Sequence, residues 1–165
     1  MLTGIILAGG SSTRMGRDKA LISKVVDRLE AELKESGCEQ VFVMCGSEDR
    51  RGLFKQDCLV DSGSCLAESL AIIIDYLAGE IQLAPCDAYL ADAELFASID
   101  GVPIDHLGNR QPLMAKITDK GVLRKSNKIQ EMFENIPTCD GGKKARNFNY
   151  PADLKEIESL LEQDG

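Results

Sequence analysis

The amino-acid sequence predicts an α/β fold with a mainly parallel sheet that is covered by helices on both faces. Short, continuous apolar runs such as Thr3–Ala8 and Gln40–Cys45 are typical of strands buried on both sides, as in a parallel sheet. Between such runs, Ala20–Ser36 and Leu66–Leu77 carry apolar residues at helical spacing. Because strand and helix alternate along the chain, helices connect successive strands, which therefore run parallel.

The first half of the chain supplies three predicted strands and two long helices. The strand Thr3–Ala8 ends at a pair of glycines, and the helix Ala20–Ser36 has four apolar residues on one face before Gly37 stops it. A short third strand, Cys58–Val60, ends at an aspartate. Leu66–Leu77 follows as a helix, with serines just upstream that can cap its first turn.

The second half continues the alternation with shorter elements. The fourth strand, Glu80–Ala84, is closed by Pro85, which cannot donate to a strand ladder. The last predicted helix begins just after a proline, where a missing N–H group costs little. The remaining predicted elements are the helix Asp92–Ile99, the strand Pro112–Thr118, and the helices Lys125–Ile136 and Ala152–Gln163.

Length and charge exclude several classes of protein. A chain of 165 residues suits one compact domain, and 44% hydrophobic with 28% charged residues is an ordinary globular composition. The formal net charge of −8 disfavours a nucleic-acid partner, which requires a basic surface. The chain opens without the pattern of a signal peptide, and its apolar runs are far shorter than the roughly 20 residues of a membrane span. We therefore expect a cytoplasmic protein with no membrane partner.

The six cysteines do not form a metal-binding pattern. None stands in a C-x-x-C pair, so a zinc site is poorly supported. Free cysteine behaves as a small, buried hydrophobic residue in a reducing compartment. We expect that role for most of Cys38, Cys45, Cys58, Cys65, Cys86 and Cys139.

A glycine-rich loop, Leu7–Lys19 (LAGGSSTRMGRDK), joins the first strand to the first helix. Gly9 and Gly10 let the backbone approach a phosphate closely, and the N–H groups around them can form an anion cradle. Arg14 and Lys19 bring positive charge to the same place. The spacing is neither that of a P-loop nor that of the dinucleotide fingerprint, and the alternative is a turn with solvated charges.

The loop resembles the signature of nucleotidyltransferases that activate sugars and cofactors. Within that superfamily, L-A-G-G-x-S-x-R-M-G-x-D-K is similar to the molybdenum cofactor guanylyltransferase family. The resemblance implies a single domain over 1–165 with the three-layer, Rossmann-like sandwich of nucleotide-diphospho-sugar transferases. It also implies that GTP is held by Leu7, Ala8, Gly9 and Gly10, with Arg14 and Lys19 neutralising the triphosphate as catalytic residues.

Two aspartates follow predicted strands. Asp87 comes directly after the fourth strand, at the sheet edge where the loop lies, and is well placed to bind Mg²⁺. The resemblance implies that Asp87 is the catalytic metal ligand and that Asp61 helps to bind the nucleotide. Asp87 as a cap of the following turn, and Asp61 as a cap before the helix, are the structural alternatives.

Two later segments resemble the acceptor region of this family. The segment RQPL matches its Q-P-L pattern, and RNFNYPADL matches its F-x-N-x-N-T-P-E-D-L ending. Asparagines just before a helix are more often caps than ligands, and that alternative stays open. The resemblance implies acceptor binding by Arg110, Gln111, Pro112, Asn147 and Asn149. Lys143 and Lys144 fit a solvated loop better, and the single histidine, His106, fits a surface loop.

The sequence also departs from the family pattern. Gly63–Glu68 stands where the family has G-P-L-x-G, which leaves base and acceptor recognition open. The G-x-P-L turn that the family places between Lys19 and Val25 is missing, and Ile99–Val102 joins a helix to the next strand with almost no connection. These short segments are the reason to consider a non-catalytic nucleotide-binding adaptor.

The predicted reaction is guanylyl transfer from GTP to the molybdopterin cofactor with Mg²⁺, releasing pyrophosphate. Transient contact with cofactor-delivery or molybdoenzyme proteins would follow. Alternatives are CTP on the same pterin, GTP on adenosylcobinamide phosphate, or the adaptor. A Rossmann oxidoreductase is excluded by the glycine spacing and by Gly46 and Ser47, which stand where an acidic residue is expected.

Overall fold

A computed structural model describes residues 1–9 and 19–146, with side chains for 1–9 and 23–146. Five strands form one sheet: β1 Leu2–Leu7, β2 Gln40–Gly46, β3 Cys58–Val60, β4 Glu80–Pro85 and β6 Lys116–Ile117, in the order β3-β2-β1-β4-β6. β5 Val102–Asp105 and β7 Thr138–Gly142 form a separate parallel pair.

The central strands pair in parallel. Ile5 of β1 lies opposite Phe42 of β2 on one side and opposite Leu83 of β4 on the other. β3 also pairs in parallel with β2, whereas β6 at the edge is antiparallel to β4. The carboxyl ends of β1, β2, β3 and β4 therefore meet at one edge of the sheet.

Helices cover both faces. They are α1 Lys19–Glu35, α2 Leu66–Tyr76, α3 Ala93–Ser98 and α4 Ile129–Met132. Alternate residues of β1 point to opposite sides. Ile6 packs in one core cluster with residues of α1 and α3, and Ile5 packs in the other with residues of α2 and α4. The predicted fold class, a mainly parallel sheet between two layers of helices, is confirmed.

Two element predictions are wrong in detail. Pro112–Thr118 is not one strand: Pro112–Met114 forms a 3₁₀ turn, and only Lys116–Ile117 pairs with the sheet. Proline has no N–H group for a ladder but suits the first turn of a helix. The helix predicted over Lys125–Ile136 is reduced to α4, because the hydroxyl of Ser126 accepts the N–H of Lys128 and holds this segment in a turn.

The pair of strands β5 and β7 is the part of the fold that differs most from the expected elements. β7 was not predicted, because its sequence TCDGG has low strand propensity. The abrupt connection before β5 is closed by Gly101, whose φ of +94° suits glycine. The predicted helix Ala152–Gln163 lies outside the described residues, and every helix within the described part is too short or too polar to cross a membrane.

The cysteines behave as expected. All six are free thiols, and four of them, Cys38, Cys45, Cys58 and Cys86, are buried. Burial raises the pKa of Cys58 to about 11, with the neighbouring Cys45 adding to the shift. A raised pKa keeps the thiol protonated at neutral pH, which suits a packing role.

Candidate functional site

A cavity of about 450 Å³ opens at the carboxyl edge of the sheet. Its wall includes Leu7 at the end of β1, Gly9 just beyond that strand, Asp61 after β3, and Asp87 after β4. In open α/β sheets this edge is where ligands bind. Four predicted residues, from three separate segments of the sequence, thus meet at one cavity.

Asp61 is attached to the end of β2 by two hydrogen bonds. Its carboxylate Oδ1 accepts the backbone N–H of Gly46 at 3.1 Å, and its own N–H donates to the carbonyl of Gly46 at 2.8 Å. Burial raises the pKa of Asp61, while the bond from Gly46 and the charge of Arg50 partly oppose that rise. The side chain is therefore a fixed acceptor on the cavity wall.

Gly9 sits where a larger residue would not fit comfortably. A Cβ built on Gly9 would lie 3.3 Å from the backbone of Gly46 and 3.5 Å from Oδ2 of Asp61. The start of the glycine-rich loop thus lies directly against both the end of β2 and the aspartate. Glycine accommodates this close approach of two backbones without displacing either one.

Asp87 follows β4 and Asp61 follows β3, and these two strands lie on opposite sides of β1 in the sheet. The N–H of Cys86 donates to the carbonyl of Leu7 at 3.0 Å, and the N–H of Ala88 donates back to Pro85 at 3.1 Å. These bonds fix the turn that carries Asp87 beside the end of β1. Burial raises the pKa of the adjacent Tyr89, and Cys86 and Asp87 add to that effect.

The donor set fits a magnesium ion that is shared with a substrate. Within the described residues, no group of three or more acidic, histidine or cysteine side chains is placed to hold a metal alone. Mg²⁺ commonly uses one or two carboxylates and takes its other ligands from substrate phosphates and water. The half-buried carboxylate of Asp87 on the cavity wall suits that mode.

The structure describes no side chain for Arg14 or Lys19, the two cationic residues of the predicted site. Gly10 and Arg14 lie outside the described residues, and Lys19 is described only as the first residue of α1. Ala8 is buried, and its carbonyl accepts a 2.8 Å hydrogen bond from Arg50. Among the predicted nucleotide-binding residues whose side chains the structure describes, Leu7, Gly9, Asp61 and Asp87 line the cavity.

Two of the predicted acceptor residues, Arg110 and Gln111, bond to other parts of the chain. Arg110 donates to the carbonyl of Phe133 at 3.0 Å, and the amide of Gln111 donates to Oδ2 of Asp105 at 2.9 Å. Pro112 is buried, and the residue of this segment that does line the cavity is Leu113. Asn147 and Asn149 lie outside the described residues. His106 is exposed, as expected.

A larger cavity, of about 640 Å³, is lined mainly by residues of α2 and of the segment 120–127. Its lining includes Ile72, Lys120 and Arg124, and it contains none of the predicted site residues within the described part of the chain. The smaller cavity, at the carboxyl edge of the sheet, is the one that brings predicted site residues together.

Two residues that shape the smaller cavity, Arg50 and Ser69, were not predicted from the sequence. Arg50 bonds the ends of β1 and β2, and Ser69 bonds the turn at Gly63. Both side chains bond to backbone atoms, which every residue has, so no residue pattern in the sequence predicts these contacts. The only available signals were the unusual composition of Gly63–Glu68 and a cation soon after the second strand.

Comparison with known proteins places the chain in a family. The model of the MobA-like NTP transferase domain matches residues 4–100. A molybdenum cofactor guanylyltransferase of Xanthomonas euvesicatoria pv. vesicatoria (strain 85-10) is 32% identical over 103 residues, which are 59% of this chain and 52% of that protein. The match thus spans about half the length of this curated relative.

Solved structures share the fold at low identity. A putative protein (Aq1419) from Aquifex aeolicus VF5 has a TM-score of 0.62 at 18% identity, covering 94% of this chain and 90% of that one. The 4-diphosphocytidyl-2C-methyl-D-erythritol synthase from Anaerococcus prevotii DSM 20548 has a TM-score of 0.62 at 12% identity, and the match covers 98% of each chain. Rv0371c from Mycobacterium tuberculosis H37Rv, solved with manganese, has a TM-score of 0.58 at 15% identity. That match covers 98% of this chain and 97% of the other.

Proposed function

Because the chain belongs to the MobA-like NTP transferase domain family, we propose that it is a nucleotidyltransferase of a single domain over 1–165. The proposed reaction moves GMP from GTP onto the phosphate of the molybdopterin cofactor and releases pyrophosphate. The observation that carries the proposal is the meeting of Gly9, Asp61 and Asp87 at one cavity on the carboxyl edge of the sheet. The curated guanylyltransferase relative supports the choice of base and acceptor.

The cavity suits the chemistry of phosphoryl-group transfer. The acceptor phosphate attacks the α-phosphorus of GTP in line, and the bond to pyrophosphate breaks. The nucleophile is already an anion, so the reaction needs positioning and charge stabilisation rather than a strong base. The backbone at Gly9 lies against the phosphates, and Asp61 accepts hydrogen bonds from the nucleotide.

Positive charge completes the proposed site. Lys19 and Arg14 neutralise the triphosphate, and the carboxylate of Asp87 would hold Mg²⁺. When bound, the ion stabilises the negative charge that develops on the leaving pyrophosphate. The neighbour solved with manganese supports a divalent metal in this fold. Acceptor binding by Arg110, Gln111, Pro112, Asn147 and Asn149 remains part of the proposal.

The decisive experiment measures pyrophosphate release with GTP, Mg²⁺ and molybdopterin, and compares GTP with CTP and ATP. Asp87→Asn should abolish magnesium-dependent release. Asp75→Asn is the matched control, because Asp75 is an exposed acid near the far end of α2 and does not line this cavity. Release with CTP in place of GTP would reassign the base, and GTP binding without any release would favour an adaptor.

A further inference from the structure

Arg50 connects the ends of the two strands that border the glycine-rich loop. Its Nη2 donates to the carbonyl of Ala8, after β1, at 2.8 Å. Its Nε donates to the carbonyl of Cys45, in β2, at 2.8 Å. A guanidinium presents its donors in a rigid planar fork, so it fixes the distance between the two carbonyls.

Each of these carbonyls directly precedes a glycine of the site. Ala8 precedes Gly9, and Cys45 precedes Gly46, and the two glycines lie against one another at the cavity. Gly46 in turn holds the carboxylate of Asp61 through its N–H group. The guanidinium of Arg50 is thus connected, through these backbone groups, to both Gly9 and the carboxylate of Asp61.

We propose that Arg50 is a positioning residue for the nucleotide, holding Gly9 and Asp61 in the spacing that receives the triphosphate. This inference rests on the proposed function. Arg50 is not among the residues that line the cavity, so it acts through its two carbonyl partners. Lysine at this position would carry the charge but lacks the planar fork, and would hold the two strand ends less firmly.

The neighbouring Arg51 provides a matched comparison. It belongs to the same short 3₁₀ helix, Glu48–Leu53, and also donates to a backbone carbonyl, that of Cys58, at 2.9 Å. Its remaining bonds go to Glu48. Loss of Arg51 therefore removes an arginine–carbonyl bond from the same segment without touching the ends of β1 and β2 that meet at Gly9.

The test compares Arg50→Met, Arg50→Lys and Arg51→Met in the full chain by two measurements. The first is hydrogen exchange at the amides of Ala8 and Gly46, which bond to Met44 and Asp61 respectively. The second is the dissociation constant of GTP with Mg²⁺. Because hydrogen bonds to a charged group are involved, Arg50→Met should speed exchange and weaken binding about tenfold or more.

Arg50→Lys should fall between wild type and Arg50→Met, and Arg51→Met should match wild type in both measurements. Equal exchange and equal affinity in Arg50→Met and Arg51→Met would overturn the positioning role. If Arg50→Met does not fold, a wild-type result for Arg50→Lys has the same meaning. Failure of the wild-type chain to bind GTP would contradict the proposed function instead. The exchange rates of Ala8 and Gly46 would still show whether Arg50 holds the two strand ends.

Discussion

The hydroxyl of Ser69 accepts the backbone N–H of Gly63 at 2.9 Å, and this bond attaches the turn after Asp61 to the first turns of α2. Ser69 is only 1% exposed. Both residues line the cavity. Gly63 is the first residue of Gly63–Glu68, the segment that departs from the family pattern, and Ser69 follows it directly. This part of the cavity wall is therefore held to α2 by a partly buried hydrogen bond.

Removing the hydroxyl should loosen that wall. Ser69→Ala leaves the N–H of Gly63 without this partner, at a cost of roughly 1–2 kcal/mol, or about 2–8 °C in Tm. We expect a larger effect on the KM for nucleotide than on kcat, measured by steady-state kinetics beside thermal unfolding. Ser98→Ala is the control, since that exposed hydroxyl bonds only to the carbonyl of Leu95. Equal KM in the two variants would contradict the prediction.

A methyl group on Gly63 should be more damaging. Its Cβ would lie 2.6 Å from the N atom of Ser69 and 2.9 Å from Glu68, so the backbone must shift. Overpacking of this kind costs about 1–3 kcal/mol, and we expect Gly63→Ala to lower the free energy of unfolding in urea by that amount. Gly52→Ala meets nothing within 4 Å and should stay close to wild type. A stable Gly63→Ala would mean that the turn can move freely.

The parts of the fold that depend on burial were predictable from sequence. Thr3–Ala8 and Gln40–Cys45 are mostly apolar because both faces of their strands are covered. Asp61 and Asp87 follow strands whose carboxyl ends share an edge. Those two relations place four of the predicted residues at one cavity.

Contacts between a side chain and a distant backbone atom could not be predicted. Arg50 finds the carbonyl of Ala8 across 42 positions in the chain, and any loop cation has the same sequence appearance. Likewise, the RQPL segment matches a family pattern, yet Arg110 and Gln111 are held by Phe133 and Asp105. Such pairings depend on tertiary distances that local residue preferences do not contain.

Asp105 should make stability depend on pH in acid. Burial alone would raise its pKa, but N–H donors from Leu107, Asn109 and Gln111 outweigh that effect and lower it. A folded pKa below the unfolded value means that the stabilisation is complete above about pH 4 and is lost as the pH falls through the folded pKa. Asp105→Asn should therefore be less stable than wild type at pH 7, with a difference that shrinks towards pH 3. Urea unfolding at both pH values measures it, and a difference independent of pH would contradict it.

Lys19 provides the most direct test of the glycine-rich loop. It is the first residue of α1, where alanine is a good helix former, so Lys19→Ala should keep the fold. Loss of one cation that stabilises a developing anion costs about a hundredfold or more in rate. We expect that fall in kcat for pyrophosphate release, with circular dichroism and Tm near wild type. Lys24→Ala, at an exposed position of the same helix, is the control and should turn over normally. If both variants were equally active, the loop would not be the triphosphate site.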